Sequence, residues 1–280
     1  MTIKVLVTGS EGLVGKAVCR ALLANGHSFS GFDRTTSGDI LDQKSLFHAA
    51  GSCDSVIHSA ALLGVPGQTP QQIMAVNLQG TWNLLLAAKN AGIDKLVFLS
   101  SVDVLGVFKG ERIPDFLPLD ESHPCYPGTG YAISKCLGEE MCRLFTQANA
   151  MTITCLRPPG VWDTSTYEWV VAERHKRPSF EWDPFWEYGA FIDVRDLAAA
   201  CLSALKDSIT GFHSVFVSSD DITTSGRSSI ELCQQLHPEV NWRGGSEYDE
   251  KPYRILLNNN LAKQVLNWNP VHSWSNFDNR

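Results

Sequence analysis

An α/β chain with a doubly wound parallel sheet is what this sequence predicts, and three observations carry that expectation. Short β-branched and apolar runs alternate with longer helical patterns over residues 3–156, the rhythm of repeated βαβ units. The strand candidates are apolar nearly throughout, as strands covered by helices on both faces must be. A glycine-rich turn, Gly9 to Gly15, stands where the first strand gives way to the first helix. Composition agrees: 280 residues, 44% hydrophobic and 19% charged, suffice to bury a core and exclude disorder as the main state.

The elements follow in order. Strands are expected at 3–7, 28–33, 55–58, 95–101 and 152–157. Helices are expected at 13–24, ended by Asn25-Gly26; at 71–91, ended by Gly92; and at 131–148. Past Arg157 the rhythm breaks into an aromatic stretch. An alanine-rich helix at 194–205 and a strand at 212–217 then resume the sheet. The predicted organisation is a Rossmann-type core over 1–160, completed by about 191–219. About 161–190 and 220–280 form a small C-terminal substrate lobe over the sheet's carboxyl edge, where open α/β folds bind ligands.

Several function classes drop out. A net charge of −7 gives no basic footprint for a phosphate backbone, so no nucleic-acid partner is expected. Eight scattered cysteines with no CxxC pair read as reduced thiols. The eight histidines lack metal-ligand spacing, so no metal is expected. No apolar run approaches the roughly 18 residues of a membrane span, and the first strand begins with no leader. The expectation is a soluble cytoplasmic protein without a membrane partner.

Thr8-Gly9-Ser10-Glu11-Gly12-Leu13-Val14-Gly15 has the context a dinucleotide-binding turn requires. Gly9 permits the tight turn, Gly12 lets the backbone approach a pyrophosphate, and Gly15 allows close helix packing, while the helix N-terminus offers N–H donors. Asp33, at the end of the second strand, suits the ribose hydroxyls and repels a 2′-phosphate; Arg34 beside it argues the other way. NAD is therefore expected, with NADP not excluded. Asp39-Ile40-Leu41-Asp42 occupies the usual place of a third strand, suited to the adenine edge, with a solvated turn as the competing reading.

Tyr131 and Lys135, at i and i+4, share a helical face. A nearby ammonium favours the phenolate, making the tyrosine a usable base for an alcohol proton. Ser101 closes the 95–101 strand, where its hydroxyl can meet substrate, and Ser100 is an alternative.

At this point the sequence resembles the extended short-chain dehydrogenase/reductases, specifically the NAD-dependent epimerase/dehydratase family. The resemblance spans nearly the whole chain, on TGSEGLVG (8–15), Asp33, DILD (39–42), HSAA (58–61), Asn77, SSVDVLG (100–106), YAISK (131–135), LRPPGVW (156–162), FIDVRDLA (191–198) and LNWNP (266–270). It implies Tyr131 as acid/base, Lys135 as its pKa partner and ribose ligand, and Ser101 as substrate clamp. It places Glu11, Leu13, Val14, Ile40, Ala60, Ala61, Asn77, Ser100 and Pro158 around the cofactor, with Asn77 structural or a relay and His58 a packing residue. It also implies a homodimer through the helices at 71–91 and 131–148, on which Leu137, Met141, Leu144 and Phe145 recur at helical spacing.

Departures narrow the substrate. Gly189 and Asp193 stand where relatives acting on nucleotide sugars usually carry arginine and histidine. A diphosphate is disfavoured unless Arg174, Arg177, Arg243 or Arg254 substitutes. Val102 precedes Asp103 where the 4,6-dehydratases carry an acid pair, which argues against elimination. Length and local pattern are also similar to uronate dehydrogenases. The expected function is an NAD-dependent oxidoreductase interconverting an alcohol or hemiacetal with its carbonyl on a free sugar, sugar acid or similar small hydroxy compound. An epimerase is the alternative; a nonenzymatic dinucleotide sensor has no need of the Tyr131/Lys135 pair. Two further features stay open. Residues 173–177 form either a carboxylate site or a solvated face, and the rings between Trp162 and Tyr188, including Tyr167, Phe180 and Phe185, form either a pocket wall or lobe core.

Overall fold

In the computed structural model, which describes residues 2–36, 38–108, 112–177, 184–224 and 226–278, the strands are short and apolar. They are β1 (Lys4–Thr8), β2 (Ser28–Phe32), β3 (Ser55–His58), β4 (Lys95–Leu99), β5 (Phe116–Leu117), β6 (Thr152–Arg157), β7 (Gly160–Trp162), β8 (Phe191–Asp193), β9 (Phe212–Phe216) and β10 (Asn241–Trp242). Six of them form one parallel sheet in the order β2-β1-β3-β4-β6-β9, while β5 pairs with β10 and β7 with β8. The chain leaves β1 for β2 on one side and returns to β3 on the other. That reversal opens a crevice beyond the carboxyl ends of β1 and β3.

The helices are α1 (Leu13–Ala24), α2 (Gln43–Ala50), α3 (Pro70–Met74), α4 (Gly80–Asn90), α5 (Gly130–Asn149), α6 (Thr164–Lys176), α7 (Val194–Ser203), α8 (Ser229–Leu236), α9 (Glu247–Glu250), α10 (Asn260–Leu266) and α11 (Trp274–Asp278). On one sheet face Val18 and Leu22 of α1, Leu197 and Cys201 of α7 and Leu266 of α10 pack over Val5, Ile57, Val97 and Leu156. On the other, Leu46 of α2, Leu84 and Leu85 of α4 and Cys142 of α5 pack over Leu6, Val56 and Phe98. The doubly wound expectation thus holds, because both faces of each central strand carry side chains that must leave water.

Two local expectations do not hold, and the open reading of DILD closes. Residues 39–42 form no strand: the Asp39 carboxylate accepts from Leu41 N at 2.9 Å, Asp42 caps α2, and Ile40 turns into the core against Gly80. The sheet therefore ends at β2. The helix expected over 71–91 is interrupted by a π-helical turn, Ala75–Gln79, with Asn77 inside it. The strand expected to 101 stops at Leu99, and Ser101 instead caps a 3₁₀ turn, Val102–Leu105.

Beyond the sheet, Val102, Leu105 and Leu117 pack with Tyr188, Ile222, Leu232, Tyr248 and Leu256 as a second core. Trp162, Tyr167, Val170, Phe191 and Trp274 form a smaller one. Among the described residues, no helix is long and apolar enough to cross a membrane, and no three His, Cys, Asp or Glu groups are placed to hold a metal.

Candidate active site

The crevice is built by the turn after β1. Gly9 sits at φ +69, donates its N–H to Phe32 O at 2.8 Å, and lies so close to β3 that a Cβ would stand 2.7 Å from Ala60 N. Gly12 differs: a Cβ there meets only Gly9 O, at 3.3 Å, so its outer face is open to a ligand. Two cavities of about 250 and 460 Å³ meet at Gly9, Gly12, Ser59 and Ala61. The smaller reaches Asp33, Arg34, Asp39, Ile40 and Ala60; the larger reaches Leu13, Val14, Gly15, Ser100, Ser101, Tyr131, Lys135 and Pro158. Residues scattered over 150 positions of sequence are thus brought to one continuous surface.

Two expected cofactor contacts lie off that surface. Glu11 points to solvent and pairs with Lys16 at 3.6 Å, although its N–H donates to Asp33 Oδ2 at 3.2 Å. Asn77 is buried behind the wall. Asp33 itself accepts from Thr35 N at 2.9 Å and Thr35 Oγ1 at 2.8 Å; partial burial opposes ionisation, but these donors hold its carboxyl below the usual range. The smaller cavity therefore has a fixed anion at its rim.

At the other end, Thr129 caps α5 and places Tyr131 on its first turn. Tyr131 and Ser101 line the same cavity, and Ser101 Oγ accepts from Asp103 N at 3.1 Å. Lys135, 3% exposed, donates to Leu99 O at 2.6 Å, and its Nζ lies 5.8 Å from the Tyr131 ring centre. Burial pulls its ammonium down from 10.5 to about 8. The tyrosine moves opposite to expectation: burial, then Asp103 and Glu187, push its phenol up, and the neighbouring Ser101 hydroxyl only partly opposes them. Lys135 is thus engaged by a backbone carbonyl, and the phenol keeps its proton at neutral pH.

A chain of hydrogen bonds joins the two ends. Thr8 Oγ1 lies 2.7 Å from His58 Nδ1, His58 Nε2 lies 2.9 Å from Thr81 Oγ1, and Thr81 Oγ1 donates to Asn77 O at 2.5 Å. Asn77 Nδ2 donates to Leu62 O at 3.0 Å and Ser134 Oγ at 2.9 Å, and Ser134 donates to Tyr131 O at 2.7 Å. Thr81 has one proton and gives it to Asn77, so it accepts from His58 Nε2–H, which leaves Nδ1 to accept from Thr8. Burial, helped by Lys135, lowers His58 to about 3, so this tautomer is uncharged at neutral pH.

Sequence reasoning missed the group beneath the Ser100–Ser101 turn. Glu139, 6% exposed on α5, accepts from Ser100 Oγ at 2.5 Å, from Ser214 Oγ at 3.1 Å and from Arg157 through Nε at 2.9 Å and Nη2 at 2.6 Å. This fork ties α5 to the ends of β4, β6 and β9. Its signal, an i+4 carboxylate after Lys135 and the arginine of LRPPG, is visible only once both are known to be buried.

The open readings resolve toward structure. Trp162 and Tyr167 are lobe core, the latter bonded to Asp193 at 3.2 Å, and Tyr188 donates to Val107 O at 2.9 Å. Phe180 lies outside the described residues, as does the side chain of Phe185. Glu173 accepts from Lys176 at 3.0 Å and Arg177 at 3.1 Å, while Arg174 donates to Thr223 O at 2.9 Å. Gly189 has φ +75, and a Cβ would stand 3.0 Å from Ile222 Cβ, so the backbone excludes arginine at low strain. Asp193 caps α7 and pairs with Arg195 at 2.7 Å.

A switch-point crevice, an open glycine turn and a Ser/Tyr/Lys cluster define a dinucleotide-dependent oxidoreductase class. A profile of the NAD dependent epimerase/dehydratase family matches residues 5–216, and the chain belongs to that family. A putative UDP-glucose 4-epimerase of Methanocaldococcus jannaschii is 29% identical over 95% of this chain and 93% of its own. The crystal structure of a short-chain dehydrogenase/reductase superfamily protein from Agrobacterium tumefaciens with bound NAD is similar in fold, at TM-score 0.72 and 23% identity over 97% of this chain and 94% of that one. A UDP-glucose 4-epimerase of Thermotoga maritima, solved with UDP-glucose, gives TM-score 0.68 and 21% identity over 96% and 94%.

Proposed function

We propose that the protein is an NAD-dependent oxidoreductase that interconverts a secondary alcohol or cyclic hemiacetal with its carbonyl on a free sugar, sugar acid or similar small hydroxy compound. The observation that carries this reading is the continuity of the open Gly12 surface with the Ser101–Tyr131 pair in one cavity system. Gly9, Gly12, Gly15 and the N-terminus of α1 would hold the pyrophosphate, and Asp33 the adenosine ribose. Bound there, NAD supplies a two-electron hydride acceptor whose ring charge opposes that of Asp103 and Glu187. Tyr131 Oη moves the proton of the substrate oxygen, Ser101 Oγ fixes that oxygen, and Lys135 reaches from beneath toward the ribose. In the carbonyl-reducing direction the protonated phenol is already the form required.

A diphosphate-free substrate is supported by the strained Gly189 position. None of Arg174, Arg177, Arg243 and Arg254 lines the larger cavity, whose cationic lining among the described residues is Lys135. The epimerase alternative is favoured by the full-length likeness to UDP-glucose 4-epimerases. It would use the same residues, retain NAD through purification and show no net NAD turnover. A homodimer is part of the proposal, since Trp82 on α4 and Leu137 and Leu144 on α5 are large apolar side chains left 41%, 46% and 50% exposed. Cytoplasmic residence and division into a 1–160 core and a smaller lobe complete it.

The test is a panel of free sugars, sugar acids, hydroxy acids and nucleotide sugars with NAD and NADP, read by reduced-nicotinamide absorbance. At least one free compound should reduce NAD, and Tyr131→Phe should abolish this while NAD affinity stays within about twofold. Micromolar competition by a nucleotide sugar overturns the substrate class; undiminished turnover by Tyr131→Phe overturns the mechanism.

A further inference from the structure

Eight free thiols are distributed unevenly in their surroundings. Six are buried, Cys136 is half-buried, and Cys125 is exposed. Two pairs are neighbours that act on each other's proton affinity. Cys142 and Cys155 meet inside the core with no exposure at all. Cys125 and Cys136 meet at the surface, in the segment that carries the catalytic groups, with Cys125 six residues before Tyr131 and Cys136 next after Lys135. Arg157 Nη2 stands 3.9 Å from Cys125 Sγ, while its other contacts hold Glu139.

We propose that Cys125 and Cys136 form a reversible redox modification site, in which a hydroperoxide oxidises the pair to a disulfide that staples the acid–base segment of the enzyme. Access, a neighbouring resolving thiol and an adjacent guanidinium are the features of a reactive cysteine, and Cys125 combines them: Arg157 reaches both Cys125 and Glu139, one helical turn after Cys136 on α5. The neighbouring Cys136 thiol and the Arg157 charge outweigh burial and the Glu139 carboxylate, bringing the Cys125 thiol down to about 7, while Cys136 is pushed up. Of the two thiols, Cys125 is thus the one favoured to lose its proton.

The Cys125 thiolate attacks a peroxide oxygen. An S–O bond forms, the O–O bond breaks, and the departing oxygen takes a proton to leave as alcohol or water. The Cys136 sulfur then attacks the Cys125 sulfur. The S–S bond forms, the S–O bond breaks, and the hydroxyl leaves as water with the Cys136 proton. The dithiol loses two electrons, and the peroxide gains them. Cys125 lies in the irregular chain between β5 and α5, so it can make the approach to a bond of about 2.05 Å without breaking a helix.

Oxidation closes a loop around Thr129, Tyr131 and Lys135 and withdraws Cys125 from Arg157. A displacement of the phenol approaching 1 Å should lower turnover by about tenfold to a hundredfold. The buried Cys142–Cys155 pair is an internal control, having the same chemistry without access.

The experiment treats the full chain with hydrogen peroxide near neutral pH, alkylates the remaining thiols and maps tryptic peptides. Cys125 falls on peptide 113–135 and Cys136 on 136–143, so the disulfide appears as a cross-linked pair, with fragment ions separating Cys136 from Cys142. The expected result is a Cys125–Cys136 cross-link forming before any other thiol reacts, reversed by dithiothreitol and absent in Cys125→Ser and Cys136→Ser. Cys136→Ser should instead leave Cys125 as a dimedone-reactive sulfenic acid. Overoxidation of Cys125 with Cys136 still alkylated, or earlier reaction of another thiol, overturns the proposal. Because the readout is chemical, it stands apart from the reading of Tyr131. A cross-link without loss of turnover would retain the site and refute the staple.

Discussion

Lys135 is an ammonium held where an alkyl chain would be more comfortable, and replacing it with methionine should stabilise the cofactor-free protein while destroying turnover. Burial carries this group from 10.5 to about 8. At about 1.4 kcal/mol per pH unit, holding the charged form inside costs about 3 kcal/mol at neutral pH. Methionine removes that cost but also the bond to Leu99 O, which is worth about 1–2 kcal/mol. The expected net gain is about 1–2 kcal/mol, or a Tm about 2–8 °C higher.

The pH dependence separates this cause from better packing. Between about 8 and 10.5 the unfolded chain keeps a proton on Lys135 that the folded chain has released, so wild-type stability rises with pH across that window. A methionine side chain carries no such proton. The advantage of Lys135→Met should therefore be full below pH 8 and vanish or reverse as pH approaches 10.5. Thermal or urea unfolding of both proteins across this range is the assay. A loss of stability at neutral pH, or a gain unchanged by pH, would refute the reasoning.

Three other outcomes are expected. Asp33→Ala should shift preference toward NADP by about tenfold or more in kcat/KM, since it removes a fixed anion beside Arg34; a native preference for NADP contradicts the role of Asp33. Glu139→Gln should cost about 3–5 kcal/mol by leaving the Arg157 guanidinium buried without its partner, and Glu139→Met with Arg157→Met should recover much of that; unfolding within about 1 kcal/mol of wild type for the single variant would show the pair to be solvated. Leu137→Glu with Leu144→Glu should convert a dimer to monomers by light scattering at micromolar concentration, and a wild-type monomer would leave that face without a partner.

Local signals account for what could be read from the sequence. The boundaries of α1, β3 and β6 coincide with the expected 13–24, 55–58 and 152–157, because each is a strong apolar pattern closed by a turn residue. DILD, weighed as a cofactor motif, does place Asp39 and Ile40 on the smaller cavity, but it carries a second signal. As Asp42 followed by Leu46 and Ala50 it is a helix start, and that signal is present in the sequence. The π-helical turn is not legible, since one extra residue in a turn leaves the apolar pattern intact on either side. Cys125 and Cys136, and Glu139 and Arg157, lie 11 and 18 residues apart on different elements, and only the packing of α5 against the strand ends makes them pairs.

The same packing explains why a tyrosine pushed away from ionisation is compatible with its proposed role. Tyr131 cannot drift, because Ser134 holds its carbonyl, Asn77 holds Ser134, and Thr81 and His58 carry the connection to Thr8 beside the glycine turn. Each hydroxyl in that chain has a single proton and each is assigned, so the chain has one direction and one protonation state while His58 is neutral. Asn77, inside the π-helical turn, bonds Leu62 on the crevice side and Ser134 on the Tyr131 side at once. The phenol's high proton affinity is set first by burial. Asp103 and Glu187, which add to that effect, face the cavity in which a positive ring would lie.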